Sequence, residues 1–267
     1  MNTLKQCKLL HFVTFVKGLA FFVALSIIVV SCKTFDDSVA KPGTQVSEQG
    51  NYTRKAISKM NGFANVKKEL LKSNGMKKKE FIAFSTDSAW ALSDGDRERL
   101  RKFREGLAWP DSTVLLQKVI PMKDLPDYEN NVKGGVVGGF IAVAADVKSL
   151  KSLEDVYNGL RLDYSGTAFS LEDEGYAVIR FYSSHTDSLY IPFGPELGGP
   201  QEHAWPNTGG GFTSSSLGKG GFPEWVFTTK YLPKEGAEIY WVDADGKKET
   251  LSSVFENGKW RKVNKEK

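Results

Sequence analysis

Residues 237–255 read AEIYWVDADGKKETLSSVF, two segments rich in β-branched and aromatic residues on either side of Asp245-Gly246. An Asp-Gly pair between such segments is the composition of a tight β-hairpin turn, because glycine accepts the positive φ that the turn demands. The stretch therefore predicts two antiparallel strands. Working upstream, 113–120 (TVLLQKVI), 136–146 (VVGGFIAVAAD), 176–184 (YAVIRFYSS), 188–193 (SLYIPF) and 224–229 (EWVFTT) are further short apolar runs bounded by turn formers. Each has strand character. Among them only 150–160 has the length and pattern of a helix. A parallel sheet needs a crossover between successive strands, and these crossovers are missing, so a doubly wound α/β sheet is disfavoured. The predicted class is α+β: a helical lead-in followed by a mostly antiparallel, strongly twisted β domain with long Gly-rich loops.

The helical lead-in is expected over 53–110 and the α+β domain over 111–267. Within 53–73, Ile57, Met60, Phe63, Val66 and Leu70 recur at three- and four-residue steps, the spacing of one helical face, with Gly62 as the weak point. The lysines of KMNGFANVKKELLKSNGMKKKE would form its solvated face. A second helix is expected over 94–107, capped by Ser93 or Asp94, with Leu100, Phe103 and Leu107 facing inward and Trp109-Pro110 as its stop.

The N-terminal segment carries Lys5, Lys8 and Lys17 without an acidic residue, followed by the uncharged run LAFFVALSIIVV at 19–30. A basic start and a short apolar core are the parts of an export signal, and the run is short of the roughly 20 residues that span a bilayer. Its end, Val29-Val30-Ser31-Cys32, resembles the bacterial lipobox. That resemblance implies a signal peptide at 1–31 and a lipid-modified Cys32, acylated with fatty chains such as palmitate. Lys33 stands where an Asp would retain a lipoprotein in the inner membrane, so the expected location is the outer membrane of the cell envelope, on its periplasmic or cell-surface face. Residues 32–52, rich in turn formers and poor in apolar side chains, read as a flexible tether.

Charge and residue usage exclude several functions. The chain has 36 basic and 32 acidic residues, and removing the signal takes three lysines and no acid, leaving 33 against 32. A nearly neutral mature chain has no electrostatic footprint for nucleic acid. Cys7 leaves with the signal, so Cys32 has no disulfide partner. With His185 and His203 as the only histidines beyond the signal and no paired-ligand spacing, no metal site is expected. A GxSxG nucleophile elbow is absent, and Gly218-Lys219 fails as a phosphate loop, having Thr213 and Gly220 at the two positions where Gly and Ser or Thr belong.

The remaining concentration of unusual residues is PFGPELGG at 192–199 and WPNTGGGFTSSSLGKGGFPEW at 205–225. Glycines let a ligand approach backbone amides, and Thr208, Thr213 and Ser214 offer hydroxyls to a phosphate or sugar, with Trp205 and Trp225 as aromatic walls. Long loops of this kind in a compact domain are typically functional. They are the candidate ligand site.

The order of segments across 93–243 resembles ADP-ribosyltransferase-like domains, including those at the tails of secreted bacterial polymorphic toxins. The residues that carry the resemblance are LSDGDRERLRKFREGLAWPDSTVLLQKVI, then GGFIAVAAD, then FPEWVFTTKYLPKEGAEIYWV. It implies a catalytic Glu224, which would orient the ribose for attack at the anomeric carbon, and NAD as cofactor. Gln117 stands where the family has a phosphate-holding Arg, and Val143-Ala144-Ala145 where it has Ser-Thr-Ser. Gln cannot reproduce a charged bidentate contact, so either the chemistry is degenerate or Arg161 or Arg180 supplies the charge. Two readings follow: an NAD-dependent ADP-ribosyltransferase or NAD glycohydrolase, or a non-enzymatic binding module displayed on the envelope for a protein or glycan partner.

Overall fold

The computed structural model describes residues 51–86, 92–195, 199, 210–214 and 220–263. The signal, Cys32, nearly all of the tether, Trp205, Thr208 and His203 lie outside the described residues. The chain divides into two units, Met1–Gln45 and Val46–Lys267, and everything below concerns the second. Its class is α+β, with helices first and a mostly antiparallel sheet after them.

The helical part differs in detail from its sequence pattern. Instead of one helix over 53–73 there are two, α1 (Arg54–Ile57) and α2 (Phe63–Ser73). Gly62 makes the break: a Cβ there would lie 2.2 Å from the Ala145 carbonyl oxygen, so the chain passes too close to its neighbour to continue a regular helix. The lysine run, read as one solvated face, contains a second break at Gly75 (φ +57°) and a further helix, α3 (Lys78–Thr86). The next helix, α4 (Asp94–Glu105), is capped by the Ser93 hydroxyl, which accepts the Asp96 amide at 3.2 Å. Leu100 and Phe103 are fully buried, as their spacing predicts.

Ten strands follow among the described residues: β1 (Leu116–Pro121), β2 (Phe140–Val143), β3 (Gly175–Phe181), β4 (Leu189–Tyr190), β5 (Phe212–Ser214), β6 (Gly220–Pro223), β7 (Trp225–Phe227), β8 (Glu238–Asp243), β9 (Glu249–Glu256) and β10 (Lys259–Lys262). Eight form one sheet in the order β10-β9-β8-β3-β1-β2-β7-β4, and β5 with β6 forms a separate hairpin. Every pairing is antiparallel. The predicted turn at Asp245-Gly246 joins β8 to β9, with Gly246 at φ +70° and only 2.2 Å between its would-be Cβ and the Lys151 carbonyl oxygen. A short helix α5 (Leu125–Glu129) lies between β1 and β2, and α6 (Leu153–Gly159) is the helix expected over 150–160, opened by a Ser152–Asp155 capping box.

Alternation along the strands divides the core between the two faces of the sheet. Ala177, Ile179 and Phe181 of β3 pack on one face with Leu116, Ile120, Ile141, Trp225, Ile239 and Phe255, while Tyr176 and Val178 pack on the other with Tyr240, Val242 and α6. The helical lead-in has its own cluster, in which Phe63, Phe81, Phe103 and Phe212 meet at ring-centroid distances of 4.7–6.3 Å. Phe212 belongs to β5, so the first three helices of any length complete their core with a residue more than a hundred positions downstream. Fully burying a side chain of this size is worth about 1.5–3 kcal/mol, enough to hold the hairpin against the helices.

Candidate functional site

A cavity of about 190 Å³ is lined by Gln117, Lys118 and Val119 of β1, Phe140, Ile141 and Ala142 of β2, the segment after α6 (Leu160, Arg161, Leu162, Tyr164, Phe169), and Thr213, Pro223 and Glu224. It exists because β1 and β2 pair only at Leu116–Val143 and Gln117–Ala142. Beyond Gln117 the ladder stops. Just ahead of β2, Gly139 turns its carbonyl to β7, accepting the Phe227 amide at 3.3 Å, so the next residue, Phe140, turns its polar groups toward β1 and into the split.

The register sets the functional side chains in a row. Arg180 on β3 pairs with Gln117 on β1, Gln117 with Ala142 on β2, and the Ile141–Trp225 pair brings Glu224 beside Ala142. Glu224 sits between β6 and β7, its amide donating to the Gly211 carbonyl at 3.0 Å, and is 8% exposed. Gln117 and Glu224 are thus neighbours but one across the sheet and line the same cavity. Thr213 lines it too; its hydroxyl accepts the Phe222 amide at 3.2 Å and holds the β5–β6 hairpin together.

Arg161 reaches the cavity through an uncommon backbone. It follows the Leu160 cap of α6 with φ +55°, and the next amide, Leu162, donates to the Tyr157 carbonyl at 2.9 Å. That is a Schellman helix end, in which the left-handed position is normally glycine. Its guanidinium forms a 2.8 Å ion pair with Asp163.

Two expected ligand residues lie elsewhere. Arg180 is 3% exposed and engaged: it donates to the Tyr52 carbonyl at 2.6 Å, pairs with Glu249 at 2.8 Å and lies 4.9 Å from the Tyr240 ring centroid. Three inter-strand spacings, about 14 Å, separate its backbone from that of Glu224. Trp225 points to the opposite face from Glu224, as alternation requires, and is buried in the core with Trp109 edge-on at 5.0 Å. Ser214 ends β5. His185 stacks on Tyr231 at 4.3 Å. Among the described residues no group of three or more His, Cys, Asp or Glu side chains is arranged to hold a metal ion, and no helix is long and apolar enough to cross a membrane.

Sequence reasoning missed Lys118. Its Nζ donates to the Phe140 carbonyl at 3.4 Å, standing in for the ladder bond that β1 does not make. Burial pushes the ammonium down to about 8; Lys133 adds to the shift, Asp124 opposes it and Lys230 adds again. The signal was present in TVLLQKVI, where a lysine interrupts a run that otherwise reads as buried strand. The aromatic wall of Tyr164 and Phe169 had no such signal, since it belongs to an irregular segment.

No family model, no curated protein and no solved structure matches the chain.

Proposed function

We propose that the chain is a lipid-anchored cell-envelope protein whose globular unit carries an ADP-ribosyltransferase-like nucleotide pocket. The observation that carries this reading is the convergence of Glu224, Arg161, Gln117 and Thr213 on one cavity, when they come from four separate segments of the sequence. The resemblance assigns Glu224 to the ribose and requires a cation for the phosphates; Gln117 lacks the charge and Arg161 supplies it on the same cavity wall. Arg180 is spent on Glu249 and Tyr52 and takes no part. Phe140, Tyr164 and Phe169 offer stacking surface to a base or nicotinamide ring.

The anchor half of the proposal rests on the basic and apolar N-terminal segment and on Ser31-Cys32. Radiolabelled palmitate is expected to enter the full-length chain and to be lost in Cys32→Ser; incorporation into the variant refutes acylation at that residue.

NAD binding and turnover by the full-length chain in detergent, beside Glu224→Ala and Arg161→Gln, tests the pocket. Turnover lost in Glu224→Ala with binding retained, and binding weakened in Arg161→Gln, is the expected outcome. The uncharged Gln117 and the Val143-Ala144-Ala145 stretch support a second reading, a pocket that binds a nucleotide without turning it over. Binding without turnover selects that reading. Absence of both refutes nucleotide recognition and leaves the display of a binding module for a protein or glycan.

A further inference from the structure

We infer that the corner between α2 and α3 is a docking surface for an anionic phospholipid membrane, the one to which Cys32 tethers the chain. The inference extends the proposed anchor, and its experiment separates the two.

Charge is unevenly spread along the chain. Residues 54–79 hold nine basic side chains and one acidic, a net +8, whereas 80–267 hold 22 basic and 28 acidic, a net −6. Folding concentrates the basic part further. The chain leaves α2 through Gly75 at φ +57°, where the Met76 amide donates to the Leu71 carbonyl at 2.8 Å, and α3 begins three residues later at Lys78. Lys68 and Lys72 stand four residues apart on one face of α2, and Lys77, Lys78 and Lys79 follow at the head of α3. All five are exposed, and among the described residues none of them makes an ion pair. A helix face turned to water interleaves its charges, as α4 does: Arg97, Arg99, Arg101 and Lys102 each pair with a carboxylate. Of the two carboxylates in the corner, Glu80 accepts the Lys77 amide at 2.6 Å and stands 3.5 Å from Arg99, which leaves Glu69 to oppose five lysines. The crowding reaches the half-buried Lys67, whose Nζ lies 4.0 Å from the Phe81 ring centroid: burial, and then the Lys78 charge, push its ammonium down to about 8.

The partner that fits is acidic, broad and close at hand. Cys32 and Tyr52 are 20 residues apart, a flexible coil of about 25 Å from end to end, so a lipid-bound chain keeps the corner near its own leaflet at a high effective concentration. Each lysine brought to an anionic leaflet strengthens the association about five-fold. The acidic remainder of the unit is repelled by the same surface, so the membrane accepts the corner and turns the rest of the molecule away. The lipid holds the chain to the surface, and the corner sets its orientation there.

The full-length chain is reconstituted with vesicles of phosphatidylcholine alone and of phosphatidylcholine with phosphatidylglycerol, floated on density gradients, acetylated at its amines and read by peptide mass spectrometry. Lys68, Lys72, Lys77, Lys78 and Lys79 should acetylate at least about three-fold more slowly on the anionic vesicles than on the neutral ones. Lys259, exposed on the edge strand β10, should label equally on both. Salt at about 0.5 M, which confines charge effects to a few ångströms, should abolish the difference. Substituting Lys72→Gln, Lys77→Gln, Lys78→Gln and Lys79→Gln together removes charges that pair with no described carboxylate; the variant should keep the parental urea midpoint and label Lys68 equally on both vesicles. Equal labelling of the corner in the parent, or Lys259 protected as much as the corner, overturns the docking surface and leaves the anchor standing where the chain floats with the neutral vesicles. Flotation with the anionic vesicles alone, with the corner protected relative to the chain in detergent, refutes the anchor and upholds the docking surface. Flotation with neither overturns both.

Discussion

Arg161 is held in a left-handed conformation at the end of α6, and replacing it separates what the backbone wants from what the site needs. For a non-glycine residue that conformation carries about 1–2 kcal/mol of strain, whereas glycine gives back about 0.5–1 kcal/mol through its freer unfolded chain. Arg161→Gly should therefore be more stable than Arg161→Ala by roughly 0.5–1 kcal/mol. Both variants lose the Asp163 pair equally; its side chains are 37% and 43% exposed, so its share is screened to roughly 0–0.5 kcal/mol. In a unit of this size the difference corresponds to about 1–4 °C in Tm. Parallel urea titrations and thermal melts of the two variants and the parent measure it, with NAD binding followed in the same samples. Glycine should match or exceed the parent in stability while both variants lose affinity. Alanine as stable as glycine would refute strain at this position, and full affinity in either variant would refute Arg161 as the phosphate ligand.

Gly62→Ala should destabilise the unit by about 1–3 kcal/mol in urea unfolding, because the new methyl meets the Ala145 carbonyl, which is backbone and cannot rotate away. Asp146 accepts the Phe63 amide at 2.6 Å, and burial nevertheless raises its carboxyl to about 6. The folded state then holds a proton that the unfolded state has released, so stability should fall as pH rises from about 4 to 6, by on the order of 2–3 kcal/mol, and Asp146→Asn should flatten that slope in urea titrations taken across the range. Arg180→Ala strands the buried Glu249 and should lose about 3–5 kcal/mol of stability, while NAD affinity measured on the folded fraction stays at the parental value.

The sheet was legible because short-range chemistry and long-range topology agree there. Asp245-Gly246 specifies a turn by itself, and the scarcity of helices between strands leaves antiparallel pairing as the outcome. The Asn257-Gly258 turn that joins β9 to β10 carried an equally direct signal, with φ values of 53° and 73°, and went unread in 251–262. Helix boundaries were harder. Gly62 and Gly75 break a periodic pattern for reasons that lie in other segments, and Phe212 completes the helical core from inside a stretch that reads as loop. In the site, Thr213 could be named from residue type, and Glu224 and Arg161 from the resemblance, but their meeting depends on where the β1–β2 ladder ends, which no local pattern encodes. Arg180 illustrates the converse: its fate was decided by Glu249 and Tyr52, both distant in sequence.

The entry of the chain into the fold has a mechanical consequence. Tyr52 donates its amide to Glu238 at 2.9 Å and receives Arg180 on its carbonyl, and two residues later the Arg54 amide donates to Glu249 at 2.8 Å. Those three partners stand on β8, β3 and β9, next to one another in the sheet. A pull on the chain ahead of Tyr52 is therefore spread over three strands at a buried ionic lock that includes the first residue of α1, and α2 bears none of it until that lock parts. If the leading end is anchored as proposed, tugging there is stopped at the sheet before it can peel the helices from the cavity-bearing half of the molecule.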